Sequence, residues 1–75
     1  MKIEAVKLKE WCDANLSVVA WQRIIVKVSP QFRGTGLTLT KLLNPDASVV
    51  LDDQQYRIIK EAVEDTYKVS MAIMV

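Results

Sequence analysis

Histidine is absent from this chain of 75 residues, and Cys12 is its only cysteine. A single thiol cannot form an internal disulfide. Without histidine the chain also cannot supply a structural zinc site or a Ser-His or Cys-His nucleophile pair. Small secreted domains usually need several disulfides, so we expect a cytoplasmic protein. We further expect a protein that is not an enzyme and that holds no cofactor or metal ion.

Long hydrophobic runs are missing as well. The longest apolar stretch, LSVVAWQRIIVKV at residues 16–28, is interrupted by Arg23 and Lys27 and is too short to cross a bilayer. The first residues alternate charged and apolar side chains, unlike the uninterrupted apolar region of a signal peptide. The sequence therefore predicts no contact with a membrane.

The composition is that of a folded protein. Apolar residues make up 51% of the chain and charged residues 25%, which separates it from disordered sequences. The length leaves room for a single domain over residues 1–75. Because the chain has more aliphatic residues than so small a core needs, we expect a homodimer that covers part of them.

Charge is distributed unevenly along the chain. The formal net charge is +1, yet residues 1–41 carry +4 and residues 42–75 carry −3. Such a molecule can present a basic face to phosphates or pair head-to-tail with itself. A simpler interpretation is that the charges are scattered over a solvated surface.

Two helices are predicted. In residues 2–15, apolar side chains recur at helical spacing, although the first ten residues also alternate as a strand does. Residues 53–66 follow Asp52, a good N-cap, with Gln55 three residues later as in a capping box. An apolar stripe of Tyr56, Ile59, Val63 and Tyr67 then defines the buried side of this second helix.

The other segments are ambiguous. Residues 18–28 are rich in β-branched side chains but also fit a helix with one apolar face, and residues 36–43 suit a strand or a short helix. The tail from residue 67 to 75 alternates as a strand. We predict an α+β domain with an N-terminal helix, a β-rich, hairpin-like middle, the capped helix and a C-terminal strand. The alternative is an all-α, helix-turn-helix-like fold.

Both glycines and both prolines fall within residues 26–46. There, QFRGTG fits the pattern Gln/Arg-x-x-Gly-x-Gly/Ala and is preceded by VSP, and this stretch resembles the acyl-coenzyme A loop of GNAT-type N-acetyltransferases. The resemblance implies a strand ending at Val28-Ser29-Pro30, followed by a loop whose backbone amides hold the cofactor pyrophosphate. The residues that it assigns to this cradle and the following helix start are Gln31, Arg33, Gly34, Thr35, Gly36 and Leu37.

A second stretch, LTKLLNPDASVVLDDQQYRIIKEAVEDTYKVSMA, resembles the second half of a lactose-repressor-type DNA-binding domain. The resemblance implies a recognition helix that ends at Asn44, with Tyr67 packed behind it. Thr38, Thr40 and Lys41 would then face the major groove.

Nucleic-acid binding is also predicted without either family. Basic residues bracket the glycines, and an exposed Phe32 among them would suit base stacking. The candidate nucleic-acid-binding residues are Arg23, Lys27, Phe32, Arg33, Gly34, Gly36 and Lys41. We expect a small regulatory or interaction module of bacterial or phage type. The alternatives are a protein–protein adaptor and a coenzyme A-binding, acetyltransferase-like fragment.

Overall fold

A computed structural model describes residues 2–71 of the chain. The elements in chain order are β1 (Ile3–Glu4), α1 (Ala5–Asn15), α2 (Ala20–Val28), a 3-10 turn (Ser29–Phe32), α3 (Leu39–Leu43), β2 (Val50–Leu51) and α4 (Asp53–Tyr67). The domain is 63% helical with one two-stranded antiparallel sheet, which agrees with a mixed α+β class. Its radius of gyration of 11.0 Å is close to the ~11 Å of a compact domain of this length.

The N-terminal segment combines both patterns seen in its sequence. Ile3 pairs with Leu51 in the sheet, and the Ala5 amide donates to the Val49 carbonyl at 2.9 Å. From Ala5 the chain is helical, and α1 buries Leu8 on the predicted stripe. The helix in residues 2–15 is thus confirmed, with its first residues used as a strand instead.

The predicted β-rich middle is wrong, because α2 occupies residues that were assigned to it. Two-residue spacing would place Arg23 and Lys27 on the same face as Trp21, whereas helical spacing separates cations from apolar side chains. In the structure α2 buries its whole apolar face, consisting of Ala20, Trp21, Ile24, Ile25 and Val28. This helix lies at the centre of the domain and packs against α1, α3, α4 and the 3-10 turn.

Residues 36–43 do not form a strand either. Thr38 caps α3, since its hydroxyl accepts a hydrogen bond from the Lys41 amide at 3.2 Å. The five-residue helix then docks on α2 through the indole of Trp21, whose Nε1 donates to the Leu42 carbonyl at 2.7 Å. A cap and one buried tertiary bond therefore decide the structure of this ambiguous stretch.

The capped helix is confirmed. The Asp52 carboxylate accepts from the Gln55 amide at 2.8 Å, and the Gln55 side chain accepts from the Asp52 amide at 3.0 Å. Lys68, the C-cap of α4, has a left-handed backbone with φ of 55°. The Met71 amide then donates to Glu64 at 2.8 Å, which returns the chain along α4. The described part of the predicted C-terminal strand, residues 67–71, contains no strand, because Tyr67 ends α4 and a turn and irregular chain follow. Residues 72–75 of that prediction lie outside the described residues.

Candidate nucleic-acid interface

The central part of the chain contains no carboxylate. Between Asp13 and Asp46 there are four cations and not one Asp or Glu, so residues 14–45 carry +4. We call these residues the basic segment. It includes all of α2, the 3-10 turn and α3.

All four cations in the basic segment are exposed to solvent, and three of them have no side-chain partner in the described chain: Arg23, Arg33 and Lys41. Within residues 2–71, none of their side-chain nitrogens lies within 4.0 Å of a carboxylate oxygen. By contrast, four lysines elsewhere in the described chain form ion pairs, which are Lys7, Lys9, Lys60 and Lys68. A cation without an intramolecular partner can neutralise a phosphate and so release a counterion that was condensed on the nucleic acid.

Lys27 is placed differently from the other predicted cations. Its ammonium group donates to the Thr66 hydroxyl of α4 at 3.1 Å. It also lines a groove of about 740 Å³ whose α4 side carries Glu61, Glu64 and Asp65. The structure therefore directs Lys27 towards an acidic helix, and the position is a poor one for contacting phosphate.

Phe32 is a correction to the predicted interface. The side chain is 2% exposed and belongs to the hydrophobic core, so it offers no surface for stacking a base. Phe32 is the last residue of the 3-10 turn, which packs against α2. The predicted basic hairpin is absent from the described chain, because α2 and the 3-10 turn occupy residues 20–32.

The glycine loop connects the 3-10 turn to α3. Gly34 and Gly36 have φ values of 81° and 84°, and a Cβ atom at either would meet nothing within 4 Å. Glycine is therefore needed for backbone conformation, and no close approach of another group requires it. The loop is exposed and carries Arg33 at its beginning.

The acetyltransferase resemblance is not supported by the backbone around this loop. The strand that it implies before the loop is wrong, since Val28 ends α2 and Ser29 begins the 3-10 turn. Two of the loop amides already have partners within the loop. Thr35 donates to the Phe32 carbonyl at 3.3 Å, and Leu37 donates to the Thr35 hydroxyl at 3.2 Å. Gln31 lines the α2–α4 groove rather than the hollow beside the glycines.

The repressor resemblance also needs correction. The implied recognition helix over residues 37–43 is a five-residue helix, and ten residues separate it from α2. Thr40 and Lys41 are exposed, but Thr38 is occupied as the N-cap and Asn44 follows the helix as its C-cap. Helix-turn-helix domains join their helices by a short turn, so α2 and α3 do not form that motif.

Lys41 lies near one carboxylate beyond the basic segment. Hydrogen bonds from the hydroxyl and amide of Ser48 hold the pKa of Asp46 below its usual range, and the charge of Lys41 adds a smaller contribution. Asp46 is fully exposed and bonded to Ser48, and no ion pair with Lys41 is formed. Lys41 therefore stays accessible, with its charge partly offset.

Sequence reasoning missed the exposed face of α2. Val19, Gln22, Arg23 and Val26 line one shallow hollow of about 400 Å³ on its solvent side. Val18, in the turn before the helix, is 82% exposed, and Val26 is 54% exposed. Helical spacing over residues 18–28 places these side chains on one face. The sequence predicts that face only if the segment is first assigned to a helix.

Groups suited to covalent or metal chemistry are few in the described part of the chain. Burial, and to a lesser extent the charge of Asp13, raise the pKa of the Cys12 thiol to about 11, so that it is un-ionised and inaccessible at neutral pH. Residues 2–71 contain no group of three or more potential metal ligands. The exposed basic segment therefore remains the candidate site that the geometry favours.

Comparison with known proteins gives no match, since no protein family, curated sequence or solved structure is significantly similar to the chain. Among the described residues, each helix is too short or too polar to cross a bilayer.

Proposed function

We propose that this protein is a small, non-enzymatic regulatory module of the cytoplasm that contacts nucleic acid through its basic segment. The proposal is supported by one observation above all. Arg23, Arg33 and Lys41 are exposed and unpaired within residues 2–71, in a stretch of 32 residues without a carboxylate. Four of the nine acidic side chains lie on α4, which packs against α2 and faces Lys27 across a groove.

The number of free cations sets the expected strength of binding. Each cation that neutralises a phosphate contributes about 0.9 to the slope of log K against log salt concentration on duplex DNA. Three contacts predict a slope near −3, so binding should be weak and should depend strongly on the salt concentration. An additional helix face or a second copy of the chain would be needed for tight binding.

Fluorescence anisotropy with a labelled mixed-sequence duplex, measured over a series of salt concentrations, tests the proposal. The informative variant replaces Arg23, Arg33 and Lys41 by glutamine. Its matched control replaces Arg57, Lys60 and Lys68 by glutamine, which removes the same charge from the acidic half. We expect the first variant to lose about ten-fold or more in affinity and nearly all of the salt slope, and the control to change little.

Two other functions are distinguished by the same samples. A duplex that binds both variants equally would contradict the assignment of the contact to the basic segment. A duplex that binds neither them nor the parent protein would contradict the proposal and favour a protein–protein adaptor. In a third experiment, coenzyme A is added to the protein and its binding is measured. Binding of coenzyme A without binding of the duplex would favour the acetyltransferase-like function. The homodimer stays a prediction.

A further inference from the structure

We propose that α2 is a DNA-reading helix whose exposed face enters the major groove of a B-form duplex. The face consists of Val19, Gln22, Arg23 and Val26, with Val18 at its N-terminal end. This inference rests on the proposed function and goes beyond it, because it names duplex DNA as the partner and assigns the reading of base edges to particular side chains.

In this proposal α1 and α2 are the two helices of a helix-turn-helix unit. α1 and α2 pack against each other and are joined by residues 16–19, within the three or four residues typical of that motif. Backbone bonds hold the turn closed. The Leu16 amide donates to the Cys12 carbonyl at 2.9 Å, and the Ala20 amide donates to the Ser17 carbonyl at 3.2 Å.

The position of α2 suits the second helix of the motif. Its buried face is anchored to three other helices, while Arg23 and Gln22 point to solvent in its first half. Recognition helices contact bases mainly through their N-terminal residues. The unit formed by α1 and α2 differs from the one implied by the repressor resemblance, which used α3.

The chemistry of the exposed face matches base edges in the major groove. A guanidinium such as that of Arg23 donates two parallel bonds to O6 and N7 of guanine, and a carboxamide such as that of Gln22 pairs with N6 and N7 of adenine. The methyl groups of Val19 and Val26 suit the 5-methyl group of thymine. Exposed valines beside a glutamine and an arginine thus have complementary partners in one groove.

Charge favours DNA over a second copy of the chain as the occupant of this face. A two-fold contact between two α2 helices would bring Arg23 of both copies together, and the basic segment contains no carboxylate to compensate them. Phosphates along both edges of the major groove supply the missing negative charge.

Selection from a pool of duplexes with a randomised centre tests the proposal. We expect the parent protein to enrich a short motif and to bind it about ten-fold more tightly than a scrambled duplex. Arg23→Lys keeps the charge but loses the planar pair of donors, so the preference at one base pair should fall about ten-fold while the salt slope is retained. Arg33→Lys is the matched control and should keep the motif. Both positions are exposed, and circular dichroism verifies that each variant is folded.

The possible failures can be told apart. Salt-dependent duplex binding without an enriched motif would overturn the DNA-reading helix and leave the proposed function standing. Absence of binding to any duplex or single strand would overturn both. Binding to polyglutamate with equal or greater affinity, or a sedimentation-detected dimer that Val26→Asp dissociates, would show that this face serves a protein contact and would also overturn the inference.

Discussion

The basic segment and the acidic C-terminal half are built in opposite ways. α4 follows from local signals, namely a capping box at Asp52 and an apolar stripe on one side. α2 has no side-chain cap, and its β-branched residues disfavour a helix in isolation. Its helical structure therefore depends on packing against its neighbours. Tertiary contacts thus determine the structure of the half of the molecule that carries the candidate site.

The two regions also differ in charge. Residues 14–45 carry +4, whereas residues 46–71 carry six acids and three cations. Two of those three cations, Lys60 and Lys68, pair with carboxylates on or next to α4. The acidic half thus neutralises part of its own charge, while the basic segment keeps Arg23, Arg33 and Lys41 unpaired among the described residues.

The largest predicted effect tests the dependence of the basic segment on tertiary contacts. Trp21→Phe removes the donor to the Leu42 carbonyl, and we expect the free energy of unfolding to fall by about 1–3 kcal/mol because a buried acceptor loses its partner. Urea denaturation measures the loss. Trp11→Phe, at a half-buried indole, is the control and should cost less. Hydrogen exchange that leaves the α3 amides fully protected in Trp21→Phe would show that this bond does not dock α3.

The next effect concerns the backbone of the glycine loop. Gly34→Ala forces a side chain into a left-handed conformation, with an expected loss of about 1–2 kcal/mol in the free energy of unfolding. Gly34→Asn is the control, because asparagine tolerates positive φ, and it should cost less than alanine. Equal losses for the two variants would indicate that the space at Gly34 matters and its φ does not.

On the acidic side, we expect Asp52→Ala to lower the free energy of unfolding by about 1 kcal/mol, because it removes the cap of α4. Gln54→Ala lies in the same turn without a capping role and should change the stability little. We expect Asp52→Ala to fray the first turn of α4. Amide hydrogen exchange should then be faster in that turn, while the α2 amides stay protected. Simultaneous loss of protection in both helices would mean that the two regions unfold as one unit.

The smallest effect is a pH dependence from Cys12, in the helix that precedes the basic segment. The thiol has a pKa of about 11 in the fold, against 9.0 for an ordinary one. Below pH 9 both folded and unfolded chains keep the proton, so this group makes no contribution to pH dependence there. Between pH 9 and 11 the unfolded chain alone loses it, and stability falls. Urea midpoints at pH 8 and 10.5 should differ less for Cys12→Ala than for the parent protein.

The sequence predicted those parts of the fold that local chemistry encodes. α4 was placed within one residue of its observed end, because its cap and stripe are contiguous in the chain. The β-rich middle was wrong since β-branched propensity outweighed helical periodicity in the prediction for residues 18–28, whereas burial of one face decides the structure. The docking of α3 depends on Trp21, which lies 21 residues away, and no local pattern reports it.

The candidate site was predicted in part for similar reasons. Composition identified Arg23, Arg33 and Lys41, which are exposed. It could not separate them from Lys27, whose partner Thr66 is 39 residues away, or from Phe32, which is buried by the 3-10 turn. The sequence did not identify Val18, Val19 and Val26 as surface residues, because apolar side chains are expected inside.

Amide chemical-shift mapping of labelled protein with a short mixed-sequence duplex tests the central claim most directly. Gly34 and Gly36 are the only glycines, so two isolated resonances report on the loop. We predict shifts for these two and for the exposed residues of α2, with little change along α4, and a return to the free positions as salt is added. Shifts confined to α4, or no shifts at any duplex concentration, would contradict the assignment of nucleic-acid contact to the basic segment.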